Sequence, residues 1–301
     1  MILCSDQRKC PQLTGLVTVN AETIKQYEEN PDVEALICSR DVAQVAQHMS
    51  IPNLKVIQLF SAGFDNIDPK LLQSKGVHLC NAANVYNTGM AEFVVYAMLM
   101  RAKRYHKSLK NHTLRPFRNY HYLTELAGKT VGILGAGNIG GQIAKRLEAF
   151  EMHVLGYDIK TDDRPHFEKI YNQDGLTEFL GRCDYIVNCM PLFQSTEGML
   201  CKEWFDKMKD DVTIVNVGRK KIIKDKDFIS FLKSHKEATA VLDMFERIPN
   251  PFTNPYRRLS NVLVLPGVTA ISKEIDEKLS NLITENMRRL QSGEPLLNQI
   301  V

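Results

Sequence analysis

The chain has 301 residues, and 38 Lys plus Arg against 35 Asp plus Glu leave a formal charge of +3. Hydrophobic residues make up 44% and charged ones 24%, the make-up of an ordinary soluble globular protein of about two domains. So even a balance, without low-complexity tracts, excludes a disordered chain and gives no reason to expect nucleic acid or an anionic membrane as the main partner.

The longest apolar stretch, Phe93–Met100, is far short of the roughly 20 residues that span a bilayer. The start reaches Asp6, Arg8 and Lys9 too soon for a signal peptide. Seven cysteines (4, 10, 38, 80, 183, 189, 201) contain no Cys-x-x-Cys pair, so free thiols in a reducing, cytoplasmic setting are expected. Neither they nor the eight histidines show metal-ligand spacing, and no metal is expected.

Taken in chain order, strands are predicted at Met1–Cys4, Leu16–Val19, Ala35–Cys38, Lys55–Phe60 and Val77–Cys80. Helix-like segments lie between them at Ala21–Glu29, Asp41–Met49 and Pro69–Ser74. A second series of strands runs through Thr130–Leu134, His153–Tyr157, Tyr185–Met190, Val212–Val217, Ala238–Met244 and Val262–Leu265. This alternation is the pattern of parallel sheets covered by helices, and six strands suit a doubly wound nucleotide-binding sheet. Long helical patterns at about Met90–Lys110 and Lys273–Gln291 flank the second series, where they can carry the chain out of one domain and back into another.

The segment Val131-Gly-Ile-Leu-Gly135-Ala-Gly137-Asn-Ile-Gly140 holds G-x-G-x-x-G, with an aliphatic strand running in and an amphipathic helix from Ile139 to Phe150 running out. Gly135 permits the tight turn, Gly137 lets backbone approach a pyrophosphate, and Gly140 lets the helix pack on the strand. The N–H groups and dipole at the helix start favour a diphosphate. Asp158 ends the next strand, 18 residues beyond Gly140, where a carboxylate binds the adenosine ribose hydroxyls. That carboxylate favours NAD(H) over NADP(H), while Lys160 and Arg164 nearby leave dual use open.

From Lys55 to Val264 the chain resembles the D-isomer-specific 2-hydroxyacid dehydrogenases. The matching motifs are Leu59-Phe-Ser-Ala-Gly63-Phe-Asp-Asn-Ile-Asp68, Gly76-Val-His-Leu-Cys-Asn81, Met90-Ala-Glu-Phe93 and Leu126-Ala-Gly-Lys-Thr-Val-Gly-Ile-Leu-Gly135. Further along come Asn188-Cys-Met-Pro-Leu192 with Thr196, Ile214-Val-Asn-Val-Gly-Arg219 and Leu242-Asp-Met-Phe245. The resemblance implies a Rossmann NAD-binding domain inserted into a flavodoxin-like substrate domain, both doubly wound α/β, with a dimer formed through the nucleotide domains. The expected division is 1–98 plus 273–301 for the substrate domain and 99–272 for the dinucleotide domain, with the site in the cleft between them.

Carried over by position, the resemblance assigns backbone at Ala62 and Gly63 to the carboxylate of a 2-oxoacid. It assigns Asn138 and Ile139 to the pyrophosphate, Asp158 to the ribose, and Pro191 and Thr196 to the adenosine side. Val217 and Gly218 would lie near the nicotinamide, with Asp243 accepting from its carboxamide. Arg219 falls on the catalytic substrate arginine, a role that suits a guanidinium fork.

Other catalytic positions depart from the family pattern. Lys220 follows Arg219 where glycine is usual, Ile248 stands at the catalytic glutamate, and Pro266-Gly267 replaces the Pro-His pair that carries the acid/base histidine. A positioned acid contributes about 10²–10⁴-fold. His121, Lys220, Lys221, Glu246 and Tyr256 are candidate replacement donors, although a solvated surface role is the commoner fate of such side chains. The basic run Arg219-Lys-Lys-Ile-Ile-Lys-Asp-Lys reads as a solvated loop before a helix or as a positive funnel for an acidic substrate. Trp204 reads as packing, and Cys189 beside the cofactor loop lacks a general base. The leading expectation is an NAD-dependent oxidoreductase acting on a small 2-hydroxy or 2-oxo acid. The alternative is a catalytically inactive NAD(H)-binding sensor or interaction protein on the same fold.

Overall fold

Short β-branched and aliphatic runs, buried on both sides, become the strands of two sheets in which every pair is parallel. Helices on both faces are what make such runs stable, because neither face then meets water. The computed structural model describes residues 1–104, 123–243, 254–265 and 267–301. They divide into one unit of Met1–Tyr86 with Ile271–Val301 and a second of Asn87–Ala270.

In the first unit, Ile2–Cys4 (β1), Leu16–Thr18 (β2), Ala35–Cys38 (β3), Val56–Leu59 (β4) and His78–Cys80 (β5) form a sheet of order β2-β1-β3-β4-β5. The period-two alternation of a strand sorts its residues between the faces. Leu36 and Ile57 face Val42, Ala43 and Leu72 of the helices Arg40–Ala46 and Pro69–Ser74. Ala35, Ile37 and Val56 face Ile275, Leu279, Ile283 and Met287 of the helix Lys273–Ser292. That helix also carries Asn286, whose Nδ2 donates to the buried Gln58 Oε1 at 2.6 Å. The predicted helix Ala21–Glu29 is a single 3₁₀ stretch, Thr23–Tyr27. Asn20 Oδ1 takes the N–H groups of Glu22 and Thr23 and fixes its start, while Glu29 turns the chain at φ 58°.

The second unit holds Thr130–Leu134 (β6), His153–Tyr157 (β7), Lys169–Tyr171 (β8), Tyr185–Asn188 (β9), Thr213–Asn216 (β10), Thr239–Leu242 (β11) and Val262–Val264 (β12). Their order is β12-β11-β10-β9-β6-β7-β8, the doubly wound arrangement, with the switch point between β6 and β9. Seven strands stand where six were expected; β8 is a three-residue edge strand, too short to show a period. On one face Val131, Ile133, Val154, Val187, Val215 and Val241 pack against the helices Asn87–Ala102 and Asn138–Glu148. On the other, Leu155, Ile186, Ile214 and Ala240 meet a layer built from Phe179, Phe205, Phe228 and Phe231.

The expected division at residue 98 splits a helix that the structure keeps whole. Ala91, Val94, Ala97 and Met98 all pack in the core containing Val131, Ile143 and Leu147, so the first boundary falls at Tyr86 and the second at Ala270. Residues 105–110 of the predicted Met90–Lys110 helix lie outside the described residues.

Gly132 shows how closely the aromatic layer lies on β6. A Cβ built there would sit 2.5 Å from Cys183 Sγ and 2.6 Å from Phe179 Cζ. Gly132→Ala is therefore expected to destabilise the protein by about 1–3 kcal/mol, the cost of overpacking a filled core. A urea titration against the wild type checks this; an unchanged midpoint would mean that Phe179 does not lie on this strand.

Candidate functional site

The register of the second sheet sets the geometry of the candidate dinucleotide site. Tyr157 pairs with Leu134, Leu134 with Asn188, Asn188 with Asn216, and Asn216 with Leu242. The next residue of each strand therefore stands level with its neighbours, which places Asp158, Gly135, Cys189, Val217 and Asp243 in one row at the carboxyl edge. Four strand spacings separate the ends of that row, about 19 Å. Along the row stand, in order, Asp158, the glycine loop, Cys189, Val217 with Gly218, and Asp243, so the residues that the resemblance assigns to a dinucleotide share one edge.

The three glycines of the loop have different physical reasons to be glycine. Gly135 has φ +93°, and a Cβ there would press on the Met190 backbone at 3.3 Å. A Cβ on Gly140 would lie 2.1 Å from Gly135 O, so the helix Asn138–Glu148 can cross β6 only with glycine at this position. Gly137 is different, with φ −78° and ψ −153°, and a built Cβ meets nothing within 4 Å. Neither torsion nor internal packing asks for glycine there. Gly137 is also the N-cap and offers no side chain to the first-turn N–H groups of Asn138, Ile139 and Gly140. Bare backbone and uncapped donors at a helix start suit a pyrophosphate. On either side of this strand, Ile159 is 93% exposed after β7 and Phe193 51% exposed after β9, apolar surface of the kind an adenine ring covers.

Asp158 is held by its surroundings. Its Oδ2 accepts from Ala136 N at 2.9 Å and from Arg164 Nη1 at 3.1 Å, and its Oδ1 from Ile159 N at 2.7 Å. Arg164 Nη1 also donates to Ala136 O at 2.7 Å, so the guanidinium links Asp158 to the glycine loop.

On the other side of the switch point, two buried amides pin the loops. Asn188 Nδ2 donates to Asn216 Oδ1 at 2.9 Å. Asn188 Oδ1 takes the Met190 N–H at 3.2 Å, and Asn216 Oδ1 takes the Gly218 N–H at 3.0 Å. Both asparagines are fully buried, and the signal for them in the sequence is an asparagine closing an aliphatic strand. Thr196 closes its own loop: its hydroxyl donates to Pro191 O at 2.8 Å and accepts from Phe193 N at 2.8 Å. Val217 is buried, and Gly218 approaches Asn188 so closely that a Cβ would lie 3.0 Å from Nδ2. Arg219 is half-buried at the start of the 3₁₀ turn Lys220–Ile222. Cys189 lies with its thiol 3.2 Å from the carbonyls of Leu134 and Gly135, and burial pushes it up to about 12, far from a thiolate.

Asp243 has partners that sequence spacing does not reveal. Its Oδ1 accepts from Gly267 N at 2.6 Å and Val268 N at 3.0 Å, and its Oδ2 from Thr269 N at 2.7 Å and from the Thr269 hydroxyl. Four donors fill the carboxylate, so a carboxamide can bond to it only by displacing one of them. Gly267 has φ +77°, a conformation that L side chains rarely adopt.

In the first unit, taken by itself, the loop Phe60–Asp65 follows β4. Ser61 Oγ donates to Gly63 O at 2.7 Å, Asn81 Nδ2 to Ala62 O at 2.6 Å, and the Tyr86 hydroxyl to Phe60 O. Arg40 pairs with Asp65 at the end of the loop. The carbonyls are thus held by side chains, while the N–H groups of Ala62 and Gly63 donate to nothing among the described residues.

Of the candidate proton donors, His121 and Glu246 lie outside the described residues, as does Ile248 at the expected glutamate position. Tyr256 is 1% exposed in the aromatic core, and its hydroxyl donates to Asp225 Oδ1 at 2.6 Å. Burial first, then that carboxylate, raises its pKa well above the ordinary tyrosine value. Lys220 pairs with Asp225 at 3.1 Å on the surface, and Lys221 is exposed. The basic run is thus partly neutralised by its own helix. Trp204 is buried against Tyr157, as packing predicts. Among the described residues no group of three or more His, Cys, Asp or Glu is placed to hold a metal, and no helix is long and apolar enough to cross a membrane.

Residues 93–268 match the family model described as D-isomer specific 2-hydroxyacid dehydrogenase, NAD binding domain. A glyoxylate reductase of Thermofilum pendens is 30% identical over 273 residues, covering 87% of this chain and 80% of that protein. A D-3-phosphoglycerate dehydrogenase of Archaeoglobus fulgidus is 30% identical over 279 residues, 90% of this chain but 52% of that protein, so the chain spans about half the length of this relative. Among solved structures, a D-isomer specific 2-hydroxyacid dehydrogenase family protein of Klebsiella pneumoniae 342 superposes with a TM-score of 0.82 at 25% identity, covering 100% of this chain and 96% of that one. The chain belongs to the D-isomer specific 2-hydroxyacid dehydrogenase family, and its cofactor is NAD.

The unequal glycines give a paired expectation. Gly137→Ala should leave the unfolding midpoint unchanged and weaken NADH binding at least about tenfold, or ~1.4 kcal/mol. Gly140→Ala should lower stability, because its Cβ meets a carbonyl oxygen. Thermal melts and fluorescence titration of NADH read the two effects separately; loss of stability in Gly137→Ala with binding unchanged would contradict the placement of the pyrophosphate.

Proposed function

We propose that the protein is an NAD-dependent oxidoreductase of the D-2-hydroxyacid dehydrogenase type, interconverting a small 2-hydroxy acid and its 2-oxo acid through a site that lacks the usual acid/base histidine. The observation that carries the reading is the level row from Asp158 to Asp243, with glycine at 137 where the protein itself needs none.

What each part offers follows from its chemistry. The N–H groups of Ala62 and Gly63 suit a carboxylate. Arg219 offers a guanidinium fork that pairs with a carboxylate and polarises a keto oxygen. NAD(H), when bound, supplies or takes the hydride. Tyr256 is buried against Asp225 and Lys220 is ion-paired to it, which argues against these two as the proton donor; a site without any positioned acid forgoes about 10²–10⁴-fold in rate.

One observation favours a second reading, a non-catalytic NAD(H)-binding protein. The position expected to carry the histidine is a glycine at φ +77° whose N–H is held by Asp243.

The test is to titrate NADH by fluorescence and then follow its oxidation with a panel of small 2-oxoacids at saturation. Slow turnover on at least one acid is expected; tight binding with no turnover on any would sink the enzymatic reading and leave the second. Gly267→His should cost about 1–2 kcal/mol from the left-handed backbone, read by urea unfolding. An unchanged stability would mean that the 267–269 turn is not held as described.

A further inference from the structure

Arg164 has two edges with different surroundings. The Nη1 edge is fixed to Ala136 O at 2.7 Å and Asp158 Oδ2 at 3.1 Å. The opposite edge faces Asp162: Nη2 donates to Oδ1 at 3.2 Å and Nε to Oδ2 at 3.4 Å, with Nη2 also 3.3 Å from Lys160 O. Both side chains of the Asp158–Arg164 pair are 20% exposed, whereas that of Asp162 is 61% exposed. The inner edge is therefore anchored, and the outer one is held by a carboxylate standing in solvent. An exposed ion pair of this kind contributes little and exchanges readily.

A lone carboxylate at 158 repels a 2′-phosphate. Here the charge of Asp158 is matched by a guanidinium at ion-pair distance, and the outer Nε/Nη2 edge is the fork that binds phosphate oxygens two at a time. Asp162 occupies that fork as a phosphate would, with one oxygen on each nitrogen.

We infer that Arg164 sets dinucleotide selectivity: it stays on Asp158 and the glycine loop through Nη1, exchanges Asp162 for the 2′-phosphate of NADPH on its outer edge, and lets the site take NADPH as well as NADH. The inference rests on the dinucleotide site described above, and the experiment separates failure of the one from failure of the other.

The experiment is fluorescence titration of NADH and NADPH into the full chain and its variants, reading the ratio of the two dissociation constants, with thermal melts to verify folding. Both dinucleotides should bind the wild type. Asp162→Asn should tighten NADPH several-fold and leave NADH within about twofold. Arg164→Ala should raise the NADPH:NADH ratio at least about tenfold by loosening NADPH, and Arg164→Lys should fall between. Asp163→Asn removes the same charge from an exposed neighbour that makes no bond to Arg164 among the described residues, and should change the ratio less than Asp162→Asn. Equal effects of Asp162→Asn and Asp163→Asn would overturn the fork in favour of a general field. An unchanged ratio in Arg164→Ala, or no NADPH binding to the wild type beside clear NADH binding, would overturn the selectivity role alone. Absence of NADH binding would remove the dinucleotide site itself.

Discussion

In a parallel sheet, neighbouring strands end at the same level only when their registers agree. In the second unit they agree across five consecutive strands, from β7 through β6, β9 and β10 to β11. The side chains that follow these strands come from positions 135 to 243 of the sequence yet share one edge. The aliphatic residues that fill the two faces fix this register, since a slip of one residue would exchange the side chains packed against the two different helix layers and undo both cores. Core packing and site geometry are thus the same constraint seen from two sides.

A second regularity follows from that edge. A chain leaving a parallel strand has backbone N–H groups that no neighbouring strand can satisfy, and each must find a partner or water. Here polar residues at the strand ends take them: Asp158 those of Ala136 and Ile159, Asn188 that of Met190, Asn216 that of Gly218, and Asp243 those of three residues in the 267–269 turn. The first unit does likewise with Asn81, which holds Ala62 O and takes the Ala83 N–H. Loops held this way are arranged before a ligand arrives, which lowers the entropy lost on binding. The cost is competition, because a ligand that addresses Asp158 or Asp243 must share or displace a partner already in place, and the net gain is a difference between two similar bonds.

Much of this was legible in the sequence where the signal is local. The strands announced themselves as β-branched runs, and Gly135, Gly137, Gly140 and Asp158 by a spacing that the strand–turn–helix geometry imposes. The helix Asn87–Ala102 was harder to place, since its apolar residues run all round it, with Tyr96 exposed and Phe93, Val95 and Leu99 half-buried, and a helix without a clean polar face gives no hint of which core it joins. The partners of Asp243 lie 24 to 26 residues further along the chain. No periodicity connects such positions; only the adjacency of β11 and β12 brings them together. The bridge from Arg164 to Ala136 O spans 28 residues and was hidden for the same reason.

Gly267, at the position where the resemblance leads one to expect histidine, has a backbone role that the sequence alone does not carry. In an ordinary turn successive backbone N–H groups point in different directions. Instead Gly267 takes a positive φ, and its N–H with the next two converges on one carboxylate, the concave arrangement by which backbone donors bind anions. Thr269 adds its hydroxyl to the same acceptor. Asp243, expected from the resemblance to face the cofactor, is the anchor of the 267–269 turn in this structure. Asp243 and Gly267 thus form one structural unit, a turn built around a carboxylate, and an imidazole at 267 would be opposed by the backbone it sits on.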